Sequence, residues 1–198
     1  MSRPTFVIAD CHFGDADLVR VLDGNTDPLR PFSSVEEHDE TIIANWNKVV
    51  PKDARVYVLG DVAQKKSDIA KIGRLNGSRK ILISGNHDIY PSSEYLKYFK
   101  DIRGTHRLVH PLCNGIMLSH IPVHPMTLGE NAHKLNIHGH IHDRVVTKRD
   151  TETGYGMQVT DKKYYCVSAE RVAYTPMDLE ILMDILYGSG KIGETIQV

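Results

Sequence analysis

The sequence predicts an α/β protein, and three observations predict it. Short apolar runs at 5–9, 55–59 and 80–84 alternate with amphipathic stretches near 35–49 and 67–75. Strand, helix, strand, helix, strand is the rhythm of a parallel sheet with crossover helices. Beyond residue 105 the rhythm changes: Arg107–Val109 and Ile116–Leu118 flank Asn114-Gly115, a hairpin signal. The second half therefore gives the chain an α+β character.

Taken in order, Thr5–Ala9 reads as a buried strand and runs into Asp10-Cys11-His12. On an extended backbone residues two apart point the same way, so Asp10 and His12 share a face and Cys11 takes the other. Phe13-Gly14-Asp15 turns the chain, and 23–33, rich in Gly, Asn, Asp and Pro, reads as a loop. Ser34 with Glu37 forms a capping box for a helix over 35–49, stopped by Pro51. Val35, Ile42, Ile43, Trp46, Val49 and Val50 recur at helical spacing, which makes Trp46 a core residue. The strand at 55–59 ends in Gly60-Asp61. A second helix over 67–75 turns Ile69, Ile72 and Leu75 inward, and Gly77 lies just past its end.

The strand at 80–84 runs into Gly85-Asn86-His87-Asp88. A turn needs only the glycine and the asparagine, so the imidazole and the carboxylate are surplus to it. Ile116–Leu118 ends in Ser119-His120, and 121–134 is a loop. Leu135-Asn136-Ile137 is a short strand ending in His138-Gly139-His140-Ile141-His142. Residues 148–163 form a polar, exposed excursion, and Tyr164–Val167 is a strand. Thr175 as N-cap and Pro176 at the first position open a last helix, with Leu179, Leu182, Met183 and Leu186 inward.

With 198 residues and no repeat, low-complexity block or linker, 1–198 reads as a single domain, its tail after about 188 loosely held. Hydrophobic residues make up 41% and charged ones 25%, the balance of a soluble globular protein. A net charge of −1 supplies no global field for nucleic acid or an anionic membrane. Cys11, Cys113 and Cys166 are odd in number and far apart. That excludes a disulfide framework and a thiolate zinc site, and points to a reducing, cytoplasmic compartment. Arg3 and Asp10 come too early for a signal peptide, and no apolar run could span a bilayer. Histidine stands out: there are eleven, six of them from His120 to His142.

Five strands thus end in groups able to bind a metal: Asp10 and His12, Asp61, Asn86 and His87, His120, and His140 with His142. Any one of these could be an ordinary turn or a satisfied histidine; five together point to one pocket at the strand ends. Carboxylates, imidazoles and an amide without a thiolate suit divalent ions of borderline hardness: Mn²⁺, Fe²⁺, Zn²⁺ or Ni²⁺. Eight such groups, or seven with His87 set aside, exceed one tetrahedral ion. They suit two ions roughly 3.5–4 Å apart that share a carboxylate and clamp an in-line displacement at phosphorus.

The order Asp-x-His, Gly-Asp, Gly-Asn-His-Asp, a lone His and Gly-His-x-His, spanning 10–142, resembles the calcineurin-like metallophosphoesterases. The absence of a cap domain, the Arg30-Pro31-Phe32 loop and the Tyr-Tyr-Cys-Val-Ser-Ala-Glu stretch are similar to a compact bacterial or phage branch of it. The resemblance implies a four-layer α-β-β-α sandwich with two mixed β-sheets and a dinuclear metal site at the strand ends. It implies that Asp10, His12 and His142 hold the first ion, Asn86, His120 and His140 the second, and that Asp61 bridges them. Two divalent transition-metal ions are expected as cofactors, Mn²⁺ first. His87 is expected to protonate the leaving group, with a metal-bridging hydroxide attacking in line, and Asp88 to fix the His87 tautomer. Where relatives often carry a second histidine this chain has Asp15, a departure expected to affect the substrate rim.

Arg30 is a candidate substrate-phosphate clamp, since a guanidinium binds phosphate bidentately. His38 and His106 are expected on the surface, His124 and His133 could rim the site, and His138 reads as structural. The expected partner is a small phosphomonoester or phosphodiester. Neither long nucleic acid nor a membrane is expected, while an exposed hairpin strand could pair with a second copy of the chain. Two other functions fit the motifs. One is a metal-dependent protein-binding scaffold with little catalysis. The other is a nuclease, hinted at only by Lys65-Lys66, Arg79-Lys80 and Lys162-Lys163.

Overall fold

The structure is a computed structural model that describes residues 3–19, 29–129, 133–150 and 156–188. The expected loose tail after 188 lies outside the described residues, as do parts of the 23–33 loop and the 148–163 excursion. The elements run β1 (Thr5–Ile8), α1 (Val35–Val49), β2 (Arg55–Val58), β3 (Arg79–Ile83), α2 (Ser92–Tyr95), β4 (Asp101–Arg103), β5 (Thr105–His110), β6 (Cys113–Ser119), β7 (Leu135–His138), β8 (Thr147–Arg149), β9 (Gln158–Thr160), β10 (Tyr164–Cys166), β11 (Met177–Asp178) and α3 (Leu179–Tyr187).

Val7, Ile8, Val56, Val58, Ile81, Leu82 and Ile83 are buried whichever face of their strand they occupy. That continuous apolar pattern is what a parallel sheet covered on both sides requires. The first sheet has the order β11-β1-β2-β3-β4, with β1 to β4 parallel and β11 antiparallel to β1. The second has the order β10-β7-β6-β5, with only β5 antiparallel. β8 and β9 form a separate two-stranded ribbon. Both main sheets are mixed and share one apolar core, in which Val7, Val58 and Leu82 join Ile116, Leu118 and Ile137. This is the α-β-β-α class that the family resemblance implied.

The β1–β2 and β2–β3 crossovers step the same way, so right-handed connections place α1 and the 3₁₀ helix at 66–74 on one face. Trp46, fully buried, donates its Nε1–H to Asn76 O at 3.0 Å and joins α1 to the segment after that helix. Ser34 Oγ accepts from Glu37 N–H at 3.1 Å, but Glu37 reaches back to Ser33 N–H and not to Ser34. Along α3, Leu179, Leu182 and Met183 are buried, and Glu180 meets His110 at the end of β5 at 3.0 Å.

Three sequence readings change. The helix at 67–75 is a 3₁₀ helix: Ile69, Ile72 and Leu75 recur every three residues, which a three-residue turn stacks on one side. The β5–β6 reversal falls at 111–112, with Asn114-Gly115 inside β6. Burial of Cys113, paired with His110, outweighs the turn preference, and a register shift between Leu108 and Val109 absorbs the difference. The last helix begins at Leu179, not after Thr175. Met177 and Asp178 pair with Val7 and Phe6, and Asp178 Oδ1 takes the cap from Glu180 N–H at 2.8 Å.

His38, expected on the surface, is fully buried with Asp39. Asp39 gathers His38 Nδ1–H at 2.8 Å, Gly14 N–H at 3.0 Å and the Lys71 ammonium at 2.5 Å. It therefore ties the turn after His12 to α1 and to the 3₁₀ helix. Burial by itself raises the Asp39 carboxyl pKa; the bonds from His38, Lys71 and Gly14 outweigh it and hold it below the usual 3.8. A depressed native pKa means that the contribution is present above the unfolded value and is lost as pH falls through the folded value. Asp39→Ala is expected to cost about 3 kcal/mol in urea unfolding at pH 7, as for a broken buried pair. It should also flatten the loss of stability below about pH 4. A wild-type midpoint, or an acid slope equal to that of the wild type, would sink this reading.

Candidate metal centre

Past the ends of β1 and β2 the two segments stay side by side. Asp10 N–H donates to Gly60 O at 3.0 Å, His12 N–H to Asp61 O at 2.9 Å and Phe13 N–H to Val62 O at 3.0 Å. The pairing is not extended. Asp10 (φ 54°), His12 (47°) and Asp61 (53°) are left-handed, and so are His140 (71°) and His142 (55°). The sequence reading had Asp10 and His12 sharing a face of an extended strand; they converge through left-handed turns instead. Bulky residues at positive φ are uncommon and concentrate at functional sites.

Two motif glycines let the turns meet. A β-carbon on Gly85 would stand 2.2 Å from Asp61 Oδ1, and one on Gly139 2.4 Å from Asp10 Oδ2.

The result is two adjacent groups. Asp10, His12 and His142 bring one potential ligand atom each to within 4.8 Å of one another, and Asp61, His120 and His140 do the same. Asp61 Oδ2 lies between them, 3.6 Å from His12 Nε2 and 3.3 Å from His120 Nε2. Asn86 Oδ1 lies 2.8 Å from His120 Nε2, on the side of the second group. His87 is exposed; its ring meets that of His12 edge to face at 5.4 Å, and its backbone N–H donates to Asp61 Oδ1 at 2.8 Å.

The remaining polar atoms aim the ligands. Asp10 Oδ2 accepts from Ser168 Oγ–H at 2.6 Å and from His140 N–H at 2.9 Å. His120 Nδ1–H donates to Leu59 O at 2.8 Å, and His142 Nδ1 is 2.6 Å from Glu170 Oε1. In both histidines Nε2 is left to face the site. Burial alone would raise the Asp61 pKa; the hydrogen bond and charge of His120 outweigh it and hold the carboxylate below its usual range. Burial likewise opposes a charged Glu170, and the bond from His142 with the nearby Arg30 reverses that.

The donor set fits a pair of divalent ions. Both ring nitrogens of His12 are buried without a hydrogen bond, although the Asp15 and Asp61 carboxylates stand 3.2 and 3.6 Å from them. An orphaned buried imidazole is costly unless something binds it. Burial pushes the Cys11 thiol up to about 12, so the set stays one of carboxylate, imidazole and amide, suited to borderline divalent ions.

Three residues do something other than expected. Asp88 does not orient His87. Its carboxylate accepts backbone N–H bonds from Gly85 (2.8 Å), Asp61 (3.0 Å) and Val62 (3.0 Å), so it locks the turns together. Arg30 is fully buried and cannot clamp a substrate. Its guanidinium donates to Asp10 O, to Cys11 O at 3.1 Å, to His38 Nε2 at 2.7 Å and to Glu170 Oε2 at 2.9 Å. A short polar loop before a helix gave no sign that its arginine would turn inward. Asp15 is buried beside His12, with Oδ2 3.2 Å from Nδ1, rather than at the rim. Sequence reasoning also missed Ser168 and Glu170. Both lie in the Tyr-Tyr-Cys-Val-Ser-Ala-Glu stretch, but no spacing rule links that stretch to Asp10 or His142. His138 is buried with Nδ1 2.8 Å from Gly139 O, while His124 accepts from Met126 N–H and caps the turn at 125–127.

Comparison with known proteins agrees with this arrangement. The family profile of the calcineurin-like phosphoesterases matches residues 3–170. An uncharacterised protein of Methanocaldococcus jannaschii is 30% identical over 198 residues, covering 98% of this chain and 97% of that one. The Gene 66 protein of Mycobacterium phage L5 is 30% identical over 173 residues, covering 73% of this chain and 80% of that one. The crystal structure of a protein of unknown function, AQ665 from Aquifex aeolicus, shares the fold with a TM-score of 0.65. That match has 22% identity and covers 91% of this chain and 98% of the other. With all five sequence blocks at the strand ends and the profile spanning most of its length, the chain belongs to the calcineurin-like phosphoesterase family.

Proposed function

We propose that this protein hydrolyses a small phosphomonoester or phosphodiester with two divalent transition-metal ions. Mn²⁺ is the first candidate, ahead of Fe²⁺, Zn²⁺ and Ni²⁺. The observation that carries the reading is Asp61, whose Oδ2 faces His12 of one ligand group and His120 of the other. Asp10, His12 and His142 hold the first ion, Asn86, His120 and His140 the second, and Asp61 is the shared ligand. When bound, the ions polarise the phosphoryl group and lower the pKa of a water molecule.

The chain's own residues do the rest. Asp88 and the motif glycines hold the turns in register, so ligand positions are set before any ion arrives. His87, exposed and tethered through its backbone to Asp61, stands at the open side and protonates the departing oxygen. With Arg30 buried, substrate charge is met by the ions and His87, not by a guanidinium.

The nuclease reading loses support, because Lys66 pairs with Glu94 at 3.0 Å and Lys80 donates to Leu75 O and Gly77 O. No helix of the described residues is long and apolar enough to cross a membrane. Cys11, Cys113 and Cys166 are free, which suits a reducing cytoplasm.

An assay supplemented with Mn²⁺, offering one aryl phosphomonoester and one aryl phosphodiester, is expected to show turnover of at least one. Metal loading without turnover of either would favour the scaffold alternative. His87→Ala should keep bound metal and fold but lose about 10²–10⁴-fold in kcat on a substrate with a poor leaving group. The loss should be smaller on an activated aryl ester, and equal losses on both would rule out the acid role. Asp61→Asn preserves shape but removes the shared charge. It is expected to lower metal content below two ions per chain by elemental analysis, and an unchanged ratio would remove Asp61 from the site.

A further inference from the structure

The two ligand groups are backed differently. In the first, each histidine has a carboxylate behind it: His142 Nδ1 is hydrogen-bonded to Glu170 Oε1 at 2.6 Å, and His12 Nδ1 has the Asp15 Oδ2 charge 3.2 Å away without a hydrogen bond between them. In the second, His120 Nδ1 donates to the neutral carbonyl of Leu59 at 2.8 Å, with the nearest carboxylate oxygen, Asp10 Oδ1, at 3.9 Å, and Asn86 is a neutral amide. The first group also owns the Asp10 carboxylate, while the second shares Asp61 with its neighbour.

Glu170 is itself held. Its other oxygen accepts from Arg30 Nη2 at 2.9 Å, and both side chains are buried, Arg30 at 0% and Glu170 at 8% side-chain exposure. Arg30 is fixed in turn by the backbone carbonyls of Asp10 and Cys11 and by His38. His38 accepts the Arg30 hydrogen at Nε2 and donates Nδ1–H to Asp39, so it is the neutral tautomer. The same arginine therefore positions the main chain of one first-ion ligand, Asp10, and the carboxylate behind another, His142. A carboxylate behind a metal-bound histidine fixes its tautomer and raises its basicity, and more negative charge around a site favours a dication.

We infer that the two ion sites are unequal. The Asp10–His12–His142 site is the tighter and fills first, and Glu170, clamped by Arg30, is the positioning residue that makes it so. The inference rests on the metal reading proposed above.

Calorimetric titration of metal-free protein with Mn²⁺ tests both, and separates them. The wild type should bind two ions in two resolvable steps. At one equivalent, the Mn²⁺ electron paramagnetic resonance spectrum should be that of an isolated ion. Glu170→Gln keeps the size and removes the charge. It should weaken the tighter step about 10–100-fold and leave the weaker step where it was. Asp15→Asn should shift the same step in the same direction, and serves if the Glu170 variant does not fold. Within the wild-type background, His142→Ala should abolish the tighter step and His140→Ala the weaker. No Mn²⁺ binding by the wild type would overturn the metal reading and this inference with it. Two ions of equal affinity would overturn the inference and leave the reading standing. Equal weakening of both steps in Glu170→Gln would show a general loosening of structure and overturn the positioning role.

Discussion

Asp10, His12, Asp61, His140 and His142 all hold a backbone conformation that L-residues avoid, at roughly 1–2 kcal/mol each. The rest of the structure exists around that constraint. A left-handed residue immediately after a buried strand throws its side chain sideways, toward the neighbouring strand end. That is how groups separated by more than a hundred residues come within a few ångströms. The strain persists because the surroundings over-determine it. Strands with a buried apolar face on each side anchor one end, and paired backbone bonds between 10–13 and 60–62 hold the other. Asp88 adds three N–H bonds from two separate turns. A carboxylate in this position stiffens the ligand frame, a different task from orienting an imidazole.

How much of this was legible in the sequence follows from which interactions are local. β1, β2 and β3 were readable because strands covered on both faces leave an uninterrupted apolar run. α1 was readable to the residue, because Ser34 caps it, Pro51 stops it and Ile42, Ile43 and Trp46 mark its inner face, but the gap in that face at His38 and Asp39 hid two buried polar residues. The motif blocks were readable because each is a strand end carrying more polar chemistry than a turn needs. What stayed hidden is long-range. Nothing near Arg30 says that its guanidinium will lie beneath Asp10 and Cys11, and nothing near Glu170 says that His142 will be its neighbour. The missed start of α3 has the same origin: Asp178 and Thr175 are both good caps, and pairing of 177–178 with β1 decides between them.

The charged residues nearest the centre are spent behind the ligands. Lys71, Asp39, His38, Arg30 and Glu170 form one chain of contacts from the partly exposed Lys71 to His142. Buried ion pairs of this kind bring little net stability, since desolvation offsets most of their attraction. Their value here is geometric. Each fixes the orientation of the next, and the last fixes an imidazole.

The contact between His142 and Glu170 crosses 28 residues, and Ser168 reaches back 158 positions to Asp10. A ribosome adds roughly 5–20 residues per second, so a growing chain spends a few seconds with His142 made and Glu170 still unsynthesised. During that interval the strand-end carboxylates and imidazoles are present without the C-terminal segment that disciplines them. Maturation therefore has a built-in order, in which the centre gains its final shape only once Ser168 and Glu170 arrive.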